Sequence, residues 1–153
     1  MKSTSLSFTV SLPAVRETSA ESIRRPEEAY AAAGELKNLA QEVFCVLTLN
    51  NRHRLIDRHL ITLGLLDASL VHPREVFRPA ISDSSAAVIL IHTHPSGDPT
   101  PSAEDLRLTR ELVAAGKVLG IRVLDHVILG RPSPNQASPF CSLRESGLAQ
   151  FTE

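Results

Sequence analysis

The 153-residue sequence predicts an α/β (α+β) domain, and three observations carry that prediction. Runs of aliphatic and β-branched residues at 43–49, 87–92 and 121–129 have the length and composition of buried strands. Segments 73–81 and 102–119 carry helical start and stop signals. Usage is 42% hydrophobic and 22% charged, so the chain can bury a sizeable core, and disorder throughout is excluded.

At the start of the chain Leu6, Phe8, Val10 and Leu12 alternate with polar residues, as a half-buried strand requires, and Pro13 ends the run. Pro26 then opens a segment from Glu27 to Ala40, rich in Ala, Glu, Leu and Lys, that predicts a helix with acids at its front. Val43 to Leu49 reads as a strand, Asn50-Asn51 as a turn, and Arg54 to His59 as the returning half of a hairpin. Pro73 to Ile81 predicts a second helix and Ala87 to His92 the central strand. The longest helix runs from Ser102 to Leu119 with Gly120 past its end, and Ile121 to Leu129 is a further strand. Three prolines between Gly130 and Pro139 mark a surface loop before the short run Phe140 to Leu143.

Formal net charge is −1, so no global field draws the chain to nucleic acid or to an anionic membrane. Arg24-Arg25 and Arg52-His53-Arg54, with Arg58 nearby, read as solvated surface. Cys45 and Cys141 form no Cys-x-x-Cys pair, so neither a thiolate zinc site nor a redox motif is suggested, and a reducing compartment is expected. No stretch approaches membrane-spanning length and the N-terminus lacks a signal-peptide pattern, which makes the cytoplasm the expected location.

The chemistry lies in residues 92–105, directly after the central strand. Alternate strand residues share a face, so His92 and His94 aim two imidazoles at one point from Cα atoms about 7 Å apart. A carboxylate completes a three-ligand metal set, and Asp105 sits in the first turn of the following helix. Three protein ligands leave one position for water. Pro95, Pro99 and Pro101 stiffen the intervening loop while Gly97 permits its turn. Ser102-Ala103-Glu104-Asp105 also has the form of a capping box, so both the cap and the site reading stand for Ser102 and Asp105. Asp98, the competing carboxylate, precedes Pro99 in a turn, where aspartates bond their own backbone.

His-x-His, seven residues, Ser, two residues, Asp resembles the JAMM signature of JAB/MPN metalloprotease-type domains. Val71-His72-Pro73-Arg74-Glu75-Val76-Phe77-Arg78, His94-Pro95-Ser96-Gly97 and Gly120 to Gly130 narrow the resemblance to the RadC branch, from about Glu35 to about Leu148. Thr93 departs from the Asn that many RadC-like sequences place between the two histidines. The resemblance implies a JAB/MPN-like, cytidine-deaminase-like central mixed sheet flanked by helices. It divides the chain into an N-terminal extension with an edge strand, 1–25, and a RadC-like domain, 26–153. The helix-hairpin-helix-type domain commonly described before it has no room in these residues, so a stand-alone form is expected.

A metal-activated water needs a base, and Glu35, Glu42, Glu75, Glu104 and Glu111 are open on spacing alone. In JAB/MPN domains the glutamate lies at the start of an upstream strand, which Glu42-Val43-Phe44 fits, so the resemblance assigns Glu42 as general acid/base. It further implies zinc (Zn2+) held by His92, His94 and Asp105, Ser102 donating to the oxyanion, and hydrolysis of an amide or isopeptide bond in an unnamed peptide or protein substrate. Two other readings remain: a DNA-associated role, from the branch's historical label as a DNA-repair protein, and a non-catalytic interaction module. Charge does not support DNA, and the retained ligands favour a metal site. Of the other histidines, His53 and His59 fall on an expected exposed hairpin, His72 precedes a helix, and His126 reads as a satisfied core residue or as a group orienting a ligand.

Overall fold

The computed structural model describes residues 20–64 and 71–152, so the strand expected over 6–12 lies outside the described residues. The strands are β1 (Val43–Leu49), β2 (Leu55–Leu63), β3 (Ala87–Thr93), β4 (Arg122–Leu129) and β5 (Phe140–Ser142). The helices are α1 (Pro26–Ala32), α2 (Pro73–Ser82) and α3 (Ala103–Leu119). One mixed sheet in the order β2-β1-β3-β4-β5 forms the centre.

Chain connectivity sets the pairing. Asn50 Oδ1 accepts from the N–H groups of Arg52 and Arg54, closing the tight turn that makes β1 and β2 antiparallel. β1 also pairs antiparallel with β3, placing Phe44 opposite His92. β3 and β4 are parallel and are joined through α3, the crossover such a pair needs. All residues of β1 and β3 are buried, because helices cover both sheet faces and leave no polar side to alternate with.

Ile23, Ala29 and Ala32 pack on Cys45, Leu47, Ile89 and Ile91 on one face. On the other, Val76 and Phe77 of α2 and Leu108 and Leu112 of α3 meet Phe44, Val46, Val88 and Leu90. Each large apolar side chain so buried contributes about 1.5–3 kcal/mol. α3 approaches β4 closely at Gly116, where a Cβ would stand 2.5 Å from the carbonyl oxygen of Ile121.

Two expectations need correction. The first helix ends at Ala32 and a short 3₁₀ segment, Gly34–Asn38, follows, because Gly34 takes φ +59° and breaks the α-helical run. Composition alone favours helix to Ala40. The returning hairpin strand extends to Leu63, and of the structural and solvated readings open for its His59 the structural one holds. It faces the end of α2, where Nε2 lies 2.6 Å from Asp83 Oδ2, an oxygen that also accepts from Thr48 Oγ1 at 2.7 Å. With Asp57 these two form a second cluster of potential ligands, already closed by the His59–Asp83 contact. No helix among the described residues is long and apolar enough to cross a membrane.

Candidate metal centre

β3 delivers its last alternate side chain, His92, towards the start of α3, and His94 follows one residue beyond the strand. Their rings meet edge to face, with centroids 4.8 Å apart. Asp105 comes to them from the first turn of α3, with its side chain only 6% exposed. Oδ1 lies 3.0 Å from His92 Nδ1 and Oδ2 lies 3.2 Å from His94 Nε2. The three residues offer ligand atoms all within 4.8 Å of one another.

The cap and the site turn out to share the same atoms. Ser102 Oγ accepts from the Asp105 N–H at 3.1 Å, and the Ser102 N–H donates to Asp105 Oδ2 at 2.7 Å. That reciprocal box starts the helix and orients the carboxylate between the histidines. Burial opposes a charge on Asp105, but the neighbouring His92 and His94 and the Ser102 N–H outweigh it and hold the carboxyl well below the usual carboxylate range. For His94, burial disfavours the charged ring, yet Asp105 and the Asp98 carbonyl prevail and its pKa rises.

His94 Nδ1 lies 2.9 Å from the carbonyl oxygen of Asp98. A carbonyl only accepts, so Nδ1 carries a proton and Nε2 is the nitrogen that faces Asp105 and would ligate a metal. The carboxylate of Asp98 is occupied elsewhere, accepting from Thr100 N at 2.9 Å and from Thr100 Oγ1 at 2.6 Å. Asp98 therefore serves the loop through its side chain and His94 through its backbone.

His92 is the informative residue. It is 3% exposed, and neither ring nitrogen makes a hydrogen bond, although Nδ1 lies 3.0 Å from Asp105 Oδ1. Two orphaned nitrogens in a buried ring cost free energy unless another species meets them. Two imidazoles and one carboxylate converging on that point are a donor set that fits a divalent metal of the zinc class.

Of the five glutamates open on spacing, Glu42 stands at the centre, with Oε1 3.8 Å from His92 Nε2 and its side chain 28% exposed. Glu75 pairs with Arg74, Glu104 and Glu111 pair with Arg107 on the outer side of α3, and Glu35 lies in the 3₁₀ segment. His126 lies behind His92, with ring centroids 6.1 Å apart. Its Nδ1 is 2.7 Å from Thr109 Oγ1, whose single proton goes to the Asp105 carbonyl at 2.6 Å. Nδ1–H therefore donates to the hydroxyl, and the buried Nε2 has no partner, so the core histidine is satisfied at one nitrogen only. Burial first, and then the electrostatic influence of neighbouring His92, push its pKa down to about 3. Asp125, its neighbour in sequence, faces away and accepts from Ser142 Oγ and from the Arg144 N–H.

Two residues escaped the reading of the sequence. Thr93 Oγ1 accepts from the Val43 N–H at 2.9 Å and contacts the Gln41 carbonyl at 3.4 Å, so it grips the backbone on both sides of Glu42. Gly130 packs against the histidine loop, where a Cβ would stand 2.2 Å from the Gly97 carbonyl oxygen. Glycine at the end of a strand was visible, but the backbone it admits is distant in sequence.

A mixed sheet whose parallel pair presents His-x-His beside an aspartate at a helix start defines a JAB/MPN-like fold with a candidate metal site. The chain belongs to the RadC-like JAB domain family, whose family model matches residues 23–148. It is similar to a UPF0758 protein of Alkaliphilus metalliredigens, 56% identical over 96 residues that cover 63% of this chain and 41% of that one. A UPF0758 protein of Desulforamulus reducens is 46% identical over 127 residues, covering 82% and 53% of the two chains. A UPF0758 protein of Listeria welshimeri is 48% identical over 126 residues, covering 82% and 54%. The chain thus spans about half the length of the curated relatives it matches.

Proposed function

We propose that this domain is a zinc-dependent hydrolase of amide or isopeptide bonds, acting on a peptide or protein substrate. The observation that carries the proposal is buried His92, with both ring nitrogens unpartnered beside His94 and Asp105. His92, His94 and Asp105 would hold the metal. Zinc bound there supplies Lewis acidity towards a carbonyl and makes a water easier to deprotonate.

The chain's own groups supply the rest. Asp105 stays ionised, which suits a ligand. The Asp98 carbonyl holds Nδ1–H of His94 and so turns Nε2 towards the site as the ligating nitrogen. Glu42, part-exposed and next to His92, takes a proton from the attacking water and returns it to the leaving amine. Ser102 keeps a hydroxyl proton after accepting from Asp105 N, and donates it to the oxyanion. Cys45 and Cys141 are both free, which supports a reducing compartment, and we assign the protein to the cytoplasm.

The test is hydrolysis of linear-peptide and lysine-linked isopeptide substrates by zinc-supplied wild type and Glu42→Gln. We expect turnover in the wild type and a loss of about 10²–10⁴-fold in the variant at unchanged zinc content. Equal turnover in both would remove Glu42 from the mechanism, and none from the wild type on either bond would favour the interaction-module reading.

A further inference from the structure

We infer that the cleft between the start of α1, the β1–β2 turn and the segment after β5 binds a small phosphorylated anion. The cleft encloses about 510 Å³, within the ~300–1,000 Å³ of small-molecule sites. It opens on the α1 face of the sheet, where Ile89 and Leu124 form its floor, whereas His92 points to the opposite face. Nothing in the inference rests on hydrolase activity.

Arg24-Arg25 and Arg52-His53-Arg54 are separate basic runs in the sequence, and the chain joins them. Ser22 forms a bridge with Arg54, and Ile23 N–H donates to the His53 carbonyl at 2.8 Å. Arg24, Arg25, His53 and Arg144 then surround one cavity. The arginines differ in how free they are. Arg25 is engaged by Glu28 at 3.2 Å. The Arg24 guanidinium bonds only neutral oxygens, Ser22 Oγ at 3.2 Å and the Arg52 carbonyl at 3.5 Å, while its backbone N–H donates to Glu28 Oε2 at 2.7 Å, and Arg144 Nη1 bonds the Leu124 carbonyl at 3.2 Å. Among the described residues neither guanidinium pairs with a carboxylate, although the backbone N–H of each donates to one, so two guanidinium groups keep unused donors at the cavity wall.

His53 registers the resulting potential. Burial first, and then Arg122, Arg24 and Arg144, lower its pKa, so the ring lies in a field set by three cations. Its backbone is also in the left-handed region, at φ +60°, which holds the turn against the cleft. Two acids line the same space. Asp125 is buried and occupied by Ser142 Oγ and the Arg144 N–H, and Glu145 stands exposed at the rim.

Guanidinium forks match the paired oxygens of a phosphate. A nucleic-acid strand would need a cationic track along a surface. Here the cations converge on one bounded cavity in a chain of net charge −1, which favours a compact anion.

The experiment is calorimetric titration with inorganic pyrophosphate and, separately, with a single-stranded oligonucleotide. It is run on wild type and on His92→Ala/His94→Ala, so that binding at the other site is told apart. We expect saturable pyrophosphate binding in both proteins. Arg24→Gln and Arg144→Gln should each weaken it at least tenfold, and Arg107→Gln, on the outer side of α3, should leave it unchanged. Arg24 is exposed, so its replacement tests the site even where Arg144→Gln disturbs folding. No saturable binding, loss of binding in His92→Ala/His94→Ala, equal loss in Arg107→Gln, or tighter binding of the oligonucleotide would each overturn the inference.

Discussion

Ser102 and Asp105 hold each other, N–H to carboxylate at 2.7 Å and N–H to hydroxyl at 3.1 Å, while the same carboxylate faces both histidines. The start of α3 is thereby both a helix cap and one wall of the candidate centre. Ser102→Ala removes the hydroxyl and leaves the backbone donor. It should lower unfolding free energy by about 1 kcal/mol, read from denaturant midpoints, while zinc affinity changes by no more than a few-fold. A concurrent kcat loss of about 10²–10³ would identify the hydroxyl as an oxyanion donor, whereas unchanged kcat would leave Ser102 as a cap alone.

Thr93 ties the strand that carries the histidines to the strand that Glu42 precedes, through Oγ1 and the Val43 N–H. Thr93→Val keeps the shape and strands that buried N–H, which costs about 1–3 kcal/mol. Hydrolysis should fall about tenfold, by displacing Glu42, while zinc content stays at the wild-type level. Thr93→Asn, the residue many RadC-like sequences carry there, should restore most of the rate. Loss of zinc in Thr93→Val would show that the threonine supports the ligands instead.

His126 makes the metal-free fold acid-sensitive. Its folded pKa of about 3 lies below the ordinary histidine value of 6.5, so the unfolded chain binds the proton first as pH falls. The sign follows directly: full stability above pH ~6.5, lost on acidification towards pH ~3, at up to about 1.4 kcal/mol per pH unit. Replacing His126 with Leu removes this contribution. Denaturant midpoints of metal-free protein at pH 6.5 and 5 should show the variant losing about 2 kcal/mol less than wild type over that interval. Identical losses would place the proton uptake on other groups.

Gly130 should tolerate no side chain. An alanine Cβ would lie 2.2 Å from the Gly97 carbonyl oxygen and 2.8 Å from Pro99 Cδ, inside the loop whose Asp98 carbonyl orients His94. Gly130→Ala should therefore destabilise by about 1–3 kcal/mol and weaken zinc binding by about tenfold or more. Competition against a chromogenic chelator measures the second effect, and wild-type affinity would disconnect the loop from the site.

Local signals made much of this legible before the structure. β1, β3 and β4 follow from uninterrupted aliphatic runs, and α3 from Ser102 at one end and Gly120, at φ +70°, at the other. His92, His94 and Asp105 were readable as a set because strand alternation and a short stiff loop constrain where they point. What was hidden depends on long-range contact. Helix-favouring residues after Ala32 gave no sign that Gly34 would adopt a left-handed conformation. His59 stays open between a structural and a solvated role because Asp83, its partner, is 24 residues away. Thr93 reaches Gln41 and Val43 across the β1–β3 pairing, and the basic runs meet only when the hairpin folds against Ser22 and Ile23. Pairings between distant segments leave no mark in either segment alone.

His92, His94 and Asp105 form a group that could hold a metal ion, and metal binding there can be tested directly. Its most direct measurement is zinc per chain by elemental analysis, on tag-free protein supplied with zinc and then desalted, with wild type beside His92→Ala/His94→Ala. Close to one zinc per chain is expected in the wild type and none in the double variant. A wild type that retains no zinc, or a double variant that retains as much as the wild type, would contradict it.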